Sequence, residues 1–209
     1  MTRGSCGDVL RVGATDVSFG GLPPLLPMHP RLTELRDHVD AQRSALLSAA
    51  SALPPERWTE RPAPDRWSIV ELFEHLYKVE HSCARAIAKG VAEARAAGHP
   101  AETSAESVLG ALNAFGLRDR TRKLQVPERV APVGGWSPQE AREKLAASRA
   151  ELHEAIRAAD GLALGTVHQT HARLGEIDLY QWILFIAEHE ARHIQQAAEI
   201  AEQLGVTPR

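Results

Sequence analysis

Residues 179–196 read LYQWILFIAEHEARHIQQ, and this stretch decides which kind of fold the chain can adopt. Its apolar residues recur at the spacing of one helix face. Asp178 and Gln181 form a pair typical of a capped helix start, and Gly205 suits a helix end. The pattern predicts an amphipathic helix between these two ends. The apolar positions of its inward face are Trp182, Ile183, Ile186, Ala197, Ile200 and Leu204.

Three earlier segments show the same helical spacing. The first begins at Pro30, a residue suited to a first helical turn, and stops at the Pro54-Pro55 pair. The second and third extend over about 68–97 and about 137–161, and each begins with a Ser-x-x-Glu capping box. We therefore predict four helices in all.

The connection between the second and third helices is long. Residues 98–136 contain Gly, Pro and the basic segment RDRTRK, and we expect a partly helical crossover there. No stretch shows a convincing alternation of apolar and polar residues, so no strand is predicted. The sequence predicts an all-α fold, a four-helix bundle with a long crossover connection between helices two and three.

The domain organisation follows from length and composition. A chain of 209 residues can form one well-buried core. Residues 1–28 are rich in Gly, Pro and small residues and end near GGLPPLLPMHP, which cannot sustain a helix. We expect residues 1–28 to form an extended N-terminal arm and residues 29–209 to form the bundle domain.

Composition argues against several classes of partner. Lys and Arg number 24 against 27 Asp and Glu, a net charge of −3, and no basic run suits a phosphate backbone, so we expect no nucleic acid. Cys6 and Cys83 are the two cysteines, which suggests no disulfide framework and fits a reducing cytoplasm. The chain shows neither a signal peptide nor a stretch able to span a bilayer, so we expect a cytoplasmic protein without a membrane partner.

The segment HEARH, residues 189–193, matches the H-E-x-x-H pattern of zinc proteases. Such enzymes need a third protein ligand, usually downstream. The extended form of the motif requires Gly at position 196 and His at position 199, where this chain has Gln196 and Glu199. Glu199 lies six residues after the second histidine, off the face that carries both histidines, although it is left open as a distant ligand. A protease is therefore disfavoured.

The histidine pair has a second interpretation as part of a metal site. His189 and His193 are four residues apart on the apolar face, so they point the same way into the bundle. His75 lies on the inward side of the second helix and is the best third ligand. Three histidines would hold a divalent ion, zinc or nickel ahead of iron or manganese, and would leave positions open for water or substrate.

Other histidines and one alternative metal chemistry rank below this set. His81 falls away from the apolar stripe, and His168 and His171 precede the last helix, where they could reach the mouth of the site. A di-iron centre needs two Glu-x-x-His repeats, and Leu72 stands three residues before His75. A buried histidine without metal is usually a hydrogen-bonded core residue, so that interpretation stays open for each histidine alone.

At this point the residues resemble a known family. WSIVELFEHL at residues 67–76 and LYQWILFIAEHEARHIQQ on the last helix look like the DinB-like (YfiT-like) superfamily, and residues 122–141 and 171–182 are also similar to it. The resemblance spans roughly residues 30–205 and leaves out the N-terminal arm. It implies a four-helix bundle with a metal held by a histidine of the second helix and a pair on the last, which match His75, His189 and His193.

The resemblance implies a small-molecule enzyme without fixing its reaction. The superfamily is similar to thiol-dependent transferases and isomerases, so the first hypothesis is sulfur transfer from a low-molecular-weight thiol held at the metal. A second is hydrolysis of an amide or ester, with Glu74, Glu190 or His171 moving the proton. We expect Glu190 to be solvated or to support a ligand, and Arg192 to be a surface charge rather than a guide for an anionic substrate.

A non-enzymatic function also stays open. The histidines and the metal would then stabilise a helical module that binds another protein or dimerises. A homodimer through helix faces is compatible with either hypothesis, and the sequence does not indicate which face. A structural site should be closed by a fourth protein ligand, whereas a catalytic site should have an open position beside a pocket.

Overall fold

The computed structural model describes Met1 and residues 27–121 and 125–205. The predicted all-α four-helix fold is confirmed. The predicted N-terminal arm, residues 1–28, lies almost wholly outside the described residues, and its extended form stays a prediction. The helices are α1 (Pro30–Ala50), α2 (Ile69–Ala96), α3 (Pro138–Ala158) and α4 (Leu179–Gln203).

Three of the helix starts are fixed by reciprocal capping. Ser68 and Glu71 form a complete capping box before α2, and Ser137 and Glu140 form another before α3. Asp178 with Gln181 does the same for α4. Each cap satisfies backbone N–H groups that a helix start leaves exposed and contributes about 1 kcal/mol. The boundaries predicted from these residues are therefore correct to within a few positions.

The bundle core consists of two apolar clusters. Helix α1 packs mainly against α4, α2 packs mainly against α3, and α2 also packs against α4. Each helix contributes to both clusters. The first, called the Ile183 cluster, includes Leu35, Ile87, Ile156 and Ile183, and the second, called the Trp58 cluster, includes Leu46, Trp58, Phe73, Leu145 and Ile200.

A charged layer lies between the two clusters. One residue from each helix enters it: Arg43, Glu80, Arg149 and Glu190. Arg43 donates to Glu190 at 2.6 Å and to Glu80 at 2.7 Å. Arg149 donates to the same carboxylates at 2.9 Å and 2.7 Å. These residues form a closed ring, here called the four-helix ring, in which each carboxylate is bound by both guanidinium groups.

The ring is buried, so its groups depend on each other. All four residues are at most 8% exposed. Burial raises the pKa of Glu80, but the Arg43 and Arg149 guanidinium groups outweigh it and leave that pKa below its usual value. Burial raises the pKa of Glu190 against the pull of the same two arginines. Removing one member would leave an uncompensated charge in the interior.

A short β-hairpin, which the sequence analysis did not predict, precedes α4. Strand β1 (His168–His171) pairs antiparallel with β2 (Gly175–Asp178), with His168 opposite Asp178. The expectation that no strand is present was wrong, because four-residue strands are too short to show alternation. Gly175 has a φ of 76°, a left-handed conformation suited to a turn, and it begins the second strand.

The crossover contains less helix than expected. Its described residues form two three-residue 3₁₀ turns, Asn113–Phe115 and Glu128–Val130, and no α-helix. The segment is held by contacts with the helices instead. Arg31 of α1 donates to Glu102 at 2.8 Å near the start, and Glu74 of α2 accepts from the backbone N–H of Val133 at 3.0 Å near the end. None of the helices in the described part is both long and apolar enough to cross a membrane.

The four-helix ring gives a prediction about stability. Arg149→Met should lower the free energy of unfolding by about 3–5 kcal/mol, because two buried carboxylates would then share one guanidinium. Urea denaturation followed by circular dichroism measures this change.

Arg157→Met is the matched control on the same helix. Its partner Glu154 and Arg157 itself are both exposed, so this variant should change the stability by less than about 0.5 kcal/mol. An Arg149→Met protein as stable as the control would show that the ring is not needed for the fold.

Candidate metal centre

The three histidines expected to form a site lie together in the structure. His75 of α2 and His189 and His193 of α4 place one ring nitrogen each within 4.8 Å of one another. The Nε2 atom of His189 is 3.2 Å from the Nε2 atom of His75 and 3.2 Å from that of His193. His75 and His193 are buried, and His189 is partly exposed. The four-residue spacing on α4 brings His189 and His193 together. The packing of α2 against α4 then brings His75 to this pair.

Hydrogen bonds on the far side of two rings define where their lone pairs point. His75 Nδ1 is 2.8 Å from the Val130 carbonyl oxygen, and His193 Nδ1 is 2.8 Å from Gln196 Oε1. Both oxygens are acceptors, so each Nδ1 carries the proton and each Nε2 presents a lone pair. His189 Nε2 can donate to one of these atoms at most. The Nε2 lone pair of the other histidine then has no donor within the cluster, an arrangement that a bound cation relieves.

The cluster has the chemistry and the spacing of a metal-binding donor set. Nitrogen ligands at the usual distance from a tetrahedral zinc ion lie about 3.3 Å apart, close to the two separations of 3.2 Å that His189 makes. Burial lowers the pKa of His75, lowers that of His189 well below its ordinary value, and lowers that of His193 to about 3. The rings are therefore neutral at physiological pH, which is the form that ligates a metal. The cluster can hold a metal ion, while the role of each histidine as a ligand stays a prediction.

The histidines line a cavity of about 1220 Å³. Aromatic side chains form the part of its wall nearest to the cluster. Phe185 stacks on His189 with 5.5 Å between ring centroids, and Trp67 lies 5.0 Å from His75 by the same measure. Trp182 also contributes to the wall. A ligand that reaches the histidines therefore passes along an apolar surface, which limits its contact with water.

His171 lies in this wall, as the sequence suggested. Its ring is 4.4 Å from Phe185 and 4.8 Å from Trp182, measured between ring centroids. Its Nδ1 atom accepts from the backbone N–H groups of residues 173–174, each at 3.2 Å. Burial lowers the pKa of His171, so the ring is neutral and the proton sits on Nε2. His171 is thus placed to donate a hydrogen bond to a ligand.

The other two histidines considered do not join the cluster. His168 is exposed on β1 and does not line the cavity. His81 lies with its Nδ1 atom 2.5 Å from the Glu151 carboxylate and stacks on Tyr77. The preference for His75 over His81 agrees with this arrangement. The expectation that His168 reaches the mouth of the site was wrong, because His168 begins β1 opposite Asp178, whereas the cavity is lined by the other end of the strand, Thr170 and His171.

Glu190 is neither a solvated residue nor the general base of a zinc protease. The expectation of a solvated side chain was wrong, because Glu190 is 2% exposed and belongs to the four-helix ring. Both of its oxygens accept hydrogen bonds from arginines of that ring. A protease base must face a water molecule on the metal, and this carboxylate is bound elsewhere. The rejection of a protease is supported on geometric grounds.

Two further carboxylates considered near the site are also engaged. Glu74 is fully buried, accepts from the backbone N–H groups of residues 133–134 and pairs with Lys78 at 2.7 Å. It fastens the crossover to α2. Glu199 accepts from Arg120 at 2.6 Å and 2.7 Å and does not belong to the histidine cluster. The possibility that Glu199 is a metal ligand finds no support here.

Arg192 and Cys83 also line the cavity. Arg192 is partly exposed and lines the cavity, so its preferred interpretation as a surface charge stays a prediction. Cys83 is buried, and burial raises the pKa of its thiol to about 12. A thiol with this pKa stays protonated and does not act as a nucleophile.

Two contacts of the centre were missed. The Val130 carbonyl that orients His75 is a backbone atom of the crossover, and no residue type in the sequence indicates it. Gln196 had a recognisable signal, because it lies three residues after His193 on the same helix, where side chains meet. A ligand histidine usually donates its second N–H to such an oxygen, so Gln196 was available as a partner.

The geometry predicts that metal content depends on the cluster. Protein purified without chelator or nickel resin should contain near-stoichiometric metal, and His75→Ala and His193→Ala should reduce it to background, because two imidazoles hold an ion poorly. Inductively coupled plasma mass spectrometry measures the content.

His81→Ala is the matched control, since His81 is a histidine of α2 outside the cluster, and it should retain the metal. Metal retained in both cluster variants, or absent from folded wild-type protein after reconstitution, would contradict the assignment.

Comparisons with known proteins agree with this structure. A sequence profile of the DinB superfamily matches residues 38–197. The chain is also similar to the uncharacterized protein YuaE of Bacillus subtilis (strain 168), with 28% identity over 153 residues that cover 73% of this chain and 88% of that protein. No solved structure gives a significant match. The profile covers most of the bundle and all three histidines, so this chain belongs to the DinB superfamily.

Proposed function

We propose that the protein is a metal-dependent enzyme that uses a low-molecular-weight thiol to modify a small electrophilic molecule. One observation carries this proposal: three neutral imidazoles in the wall of a large cavity each place a ring nitrogen within 4.8 Å of the others. His75, His189 and His193 would hold the ion. When bound, the metal would favour the thiolate form of a thiol that coordinates it.

The residues around the cluster suit this chemistry. Trp67, Trp182 and Phe185 provide apolar walls that exclude water from a bound sulfur. His171 presents its Nε2–H towards the same space and can donate to the electrophile or to its leaving group. Cys83 stays protonated, so the nucleophilic sulfur would come from the thiol cofactor and not from the chain.

A metal-dependent hydrolase is the second candidate, and the site supports it less well. Hydrolysis needs a base to take a proton from water. Glu74 and Glu190 are already hydrogen-bonded to other groups, and neither belongs to the cavity wall. His171 uses its Nδ1 lone pair to accept from backbone N–H groups. The three groups considered as bases are therefore all engaged, whereas a thiol on the metal would be acidic enough to release its proton to solvent water.

A purely structural metal site is the third candidate. Such sites are usually closed by four protein ligands. In the part of the chain that the structure describes, the cluster contains three possible ligands, and it faces a cavity. This arrangement favours an open coordination position and a small-molecule ligand over a site that only stabilises the bundle.

The proposal predicts direct coordination of a thiol. Adding 2-mercaptoethanol to the cobalt-substituted protein should produce the near-ultraviolet sulfur-to-cobalt charge-transfer band, because the thiolate would occupy the open position. Absorption spectroscopy records the band, and His81→Ala should behave like the wild type.

The thiol's nucleophilicity should then be visible in a transfer reaction. The zinc- or nickel-loaded protein should accelerate the loss of chlorodinitrobenzene with an added thiol, and His193→Ala should not. A cobalt-loaded protein with normal d–d bands but no charge-transfer band with any thiol would exclude the thiol-dependent function.

A further inference from the structure

The cavity beside the histidine cluster carries a charge opposite to that of the whole chain. The chain has a net charge of −3. Five arginines line the cavity, against two carboxylates, Asp65 and Glu199. The histidines there are neutral, so the described wall has an excess of three positive charges. A local excess of this size raises the concentration of small anions at the site.

Hydrogen bonding shows which of these arginines are neutralised. Glu199 accepts two hydrogen bonds from Arg120 and lies 3.7 Å from Arg66, so one carboxylate serves both guanidinium groups. Arg192 donates to the backbone carbonyl of Asp119, so its guanidinium is already engaged. The available positive charge therefore lies elsewhere in the wall.

Arg129 and Arg173 have side chains that are open to a ligand. Both are exposed, and within residues 27–121 and 125–205 no group hydrogen-bonds to either guanidinium or forms an ion pair with it. Arg129 precedes Val130, whose carbonyl oxygen accepts a hydrogen bond from His75. Arg173 is in the hairpin turn, and its backbone N–H donates to His171. The two arginines thus approach the cluster from the crossover and from the hairpin.

The positive charges of the cavity arginines act on the nearby histidines His189 and His171. After burial and the neighbouring histidines, Arg173 and Arg192 lower the pKa of His189 further. After burial, Arg129 and Arg173 do the same to His171. An anionic group bound in this space would therefore face several guanidinium groups. Of the two carboxylates in the wall, Glu199 is bound by Arg120, and Asp65 is exposed and pairs with no described arginine.

We propose that Arg129 and Arg173, here called the arginine wall, select a small molecule that carries an oxyanion, either a carboxylate or a phosphate, and that approaches the three histidines with its other end. This inference rests on the proposed function, since it assigns the oxyanion to the thiol that is used there. A guanidinium binds both oxyanions through paired N–H donors. The cavity volume suits a molecule of metabolite size rather than a polymer.

The test compares two thiols of the same shape and different charge. 3-Mercaptopropionate and 3-mercaptopropanamide are titrated into the cobalt-substituted protein, and the charge-transfer band gives both dissociation constants. The wild type should prefer the carboxylate by about tenfold, as expected for a charge-assisted pair. The preference should fall in Arg173→Met and disappear in the double variant Arg129→Met with Arg173→Met, and added salt should weaken the binding of the carboxylate alone.

Arg85→Met is the matched control, because Arg85 is exposed on α2 and does not line the cavity. It should keep the full preference. Equal affinity for the two thiols in the wild type would overturn the inference. If the preference for the carboxylate persists in the double variant, its cause is chelation of the metal and not the arginines. This result would overturn the inference as well.

A second measurement separates this inference from the proposed function. Calorimetric titrations with succinate, succinamide and inorganic phosphate use no thiol. Binding of succinate or phosphate that is lost in the double variant, without any band from either thiol, would support the arginine wall and exclude the thiol function. The anion that binds with the lower dissociation constant, succinate or phosphate, shows whether the arginine wall prefers a carboxylate or a phosphate. If neither anion binds better than succinamide, the arginine wall does not select anions.

Discussion

The four-helix ring is the constraint on which the rest of the structure depends. Each helix supplies one charged residue, and each charge finds its partners only when all four helices have the correct rotation and height. Glu190 adjoins His189 and is three residues from His193, and successive residues of a helix point about 100° apart. By fixing Glu190 between Arg43 and Arg149, the ring also fixes the direction of the histidine pair. Buried charges of this kind set a unique arrangement more than they add stability.

The candidate metal centre is formed by helices on one side and by the crossover and the hairpin on the other. The three histidines of the cluster belong to α2 and α4, whose packing is set by the two apolar clusters and the ring. The opposite wall comes from irregular segments, the crossover and the hairpin. The two sides are joined at His75, whose ring is oriented by the Val130 carbonyl of the crossover. This division matches a general pattern in which a scaffold holds the reactive group and loops choose the ligand.

Local signals in the sequence predicted the helices and the histidine cluster well. Capping boxes fixed the starts of α2 and α3, and these starts fixed which residues, His75 among them, point inward. Two of the failures concern contacts between distant parts of the chain. Glu190 was expected to be solvated or to support a ligand, since its arginine partners are 147 and 41 residues away. The Val130 contact joins residues 55 apart. The hairpin is local, and it was missed because its four-residue strands are too short to show alternation.

The hairpin before α4 has a consequence for how this protein can change. Its turn carries Arg173 and follows His171, the last residue of β1, and its strands contain four residues each and lie outside the bundle's charged layer. Under the proposed function, substitutions at the turn alter which ligand is accepted and leave the histidine cluster and the helices as they are. A module of this kind lets ligand preference diverge between relatives while the reactive centre is inherited intact, and it is the natural segment to randomise in directed evolution.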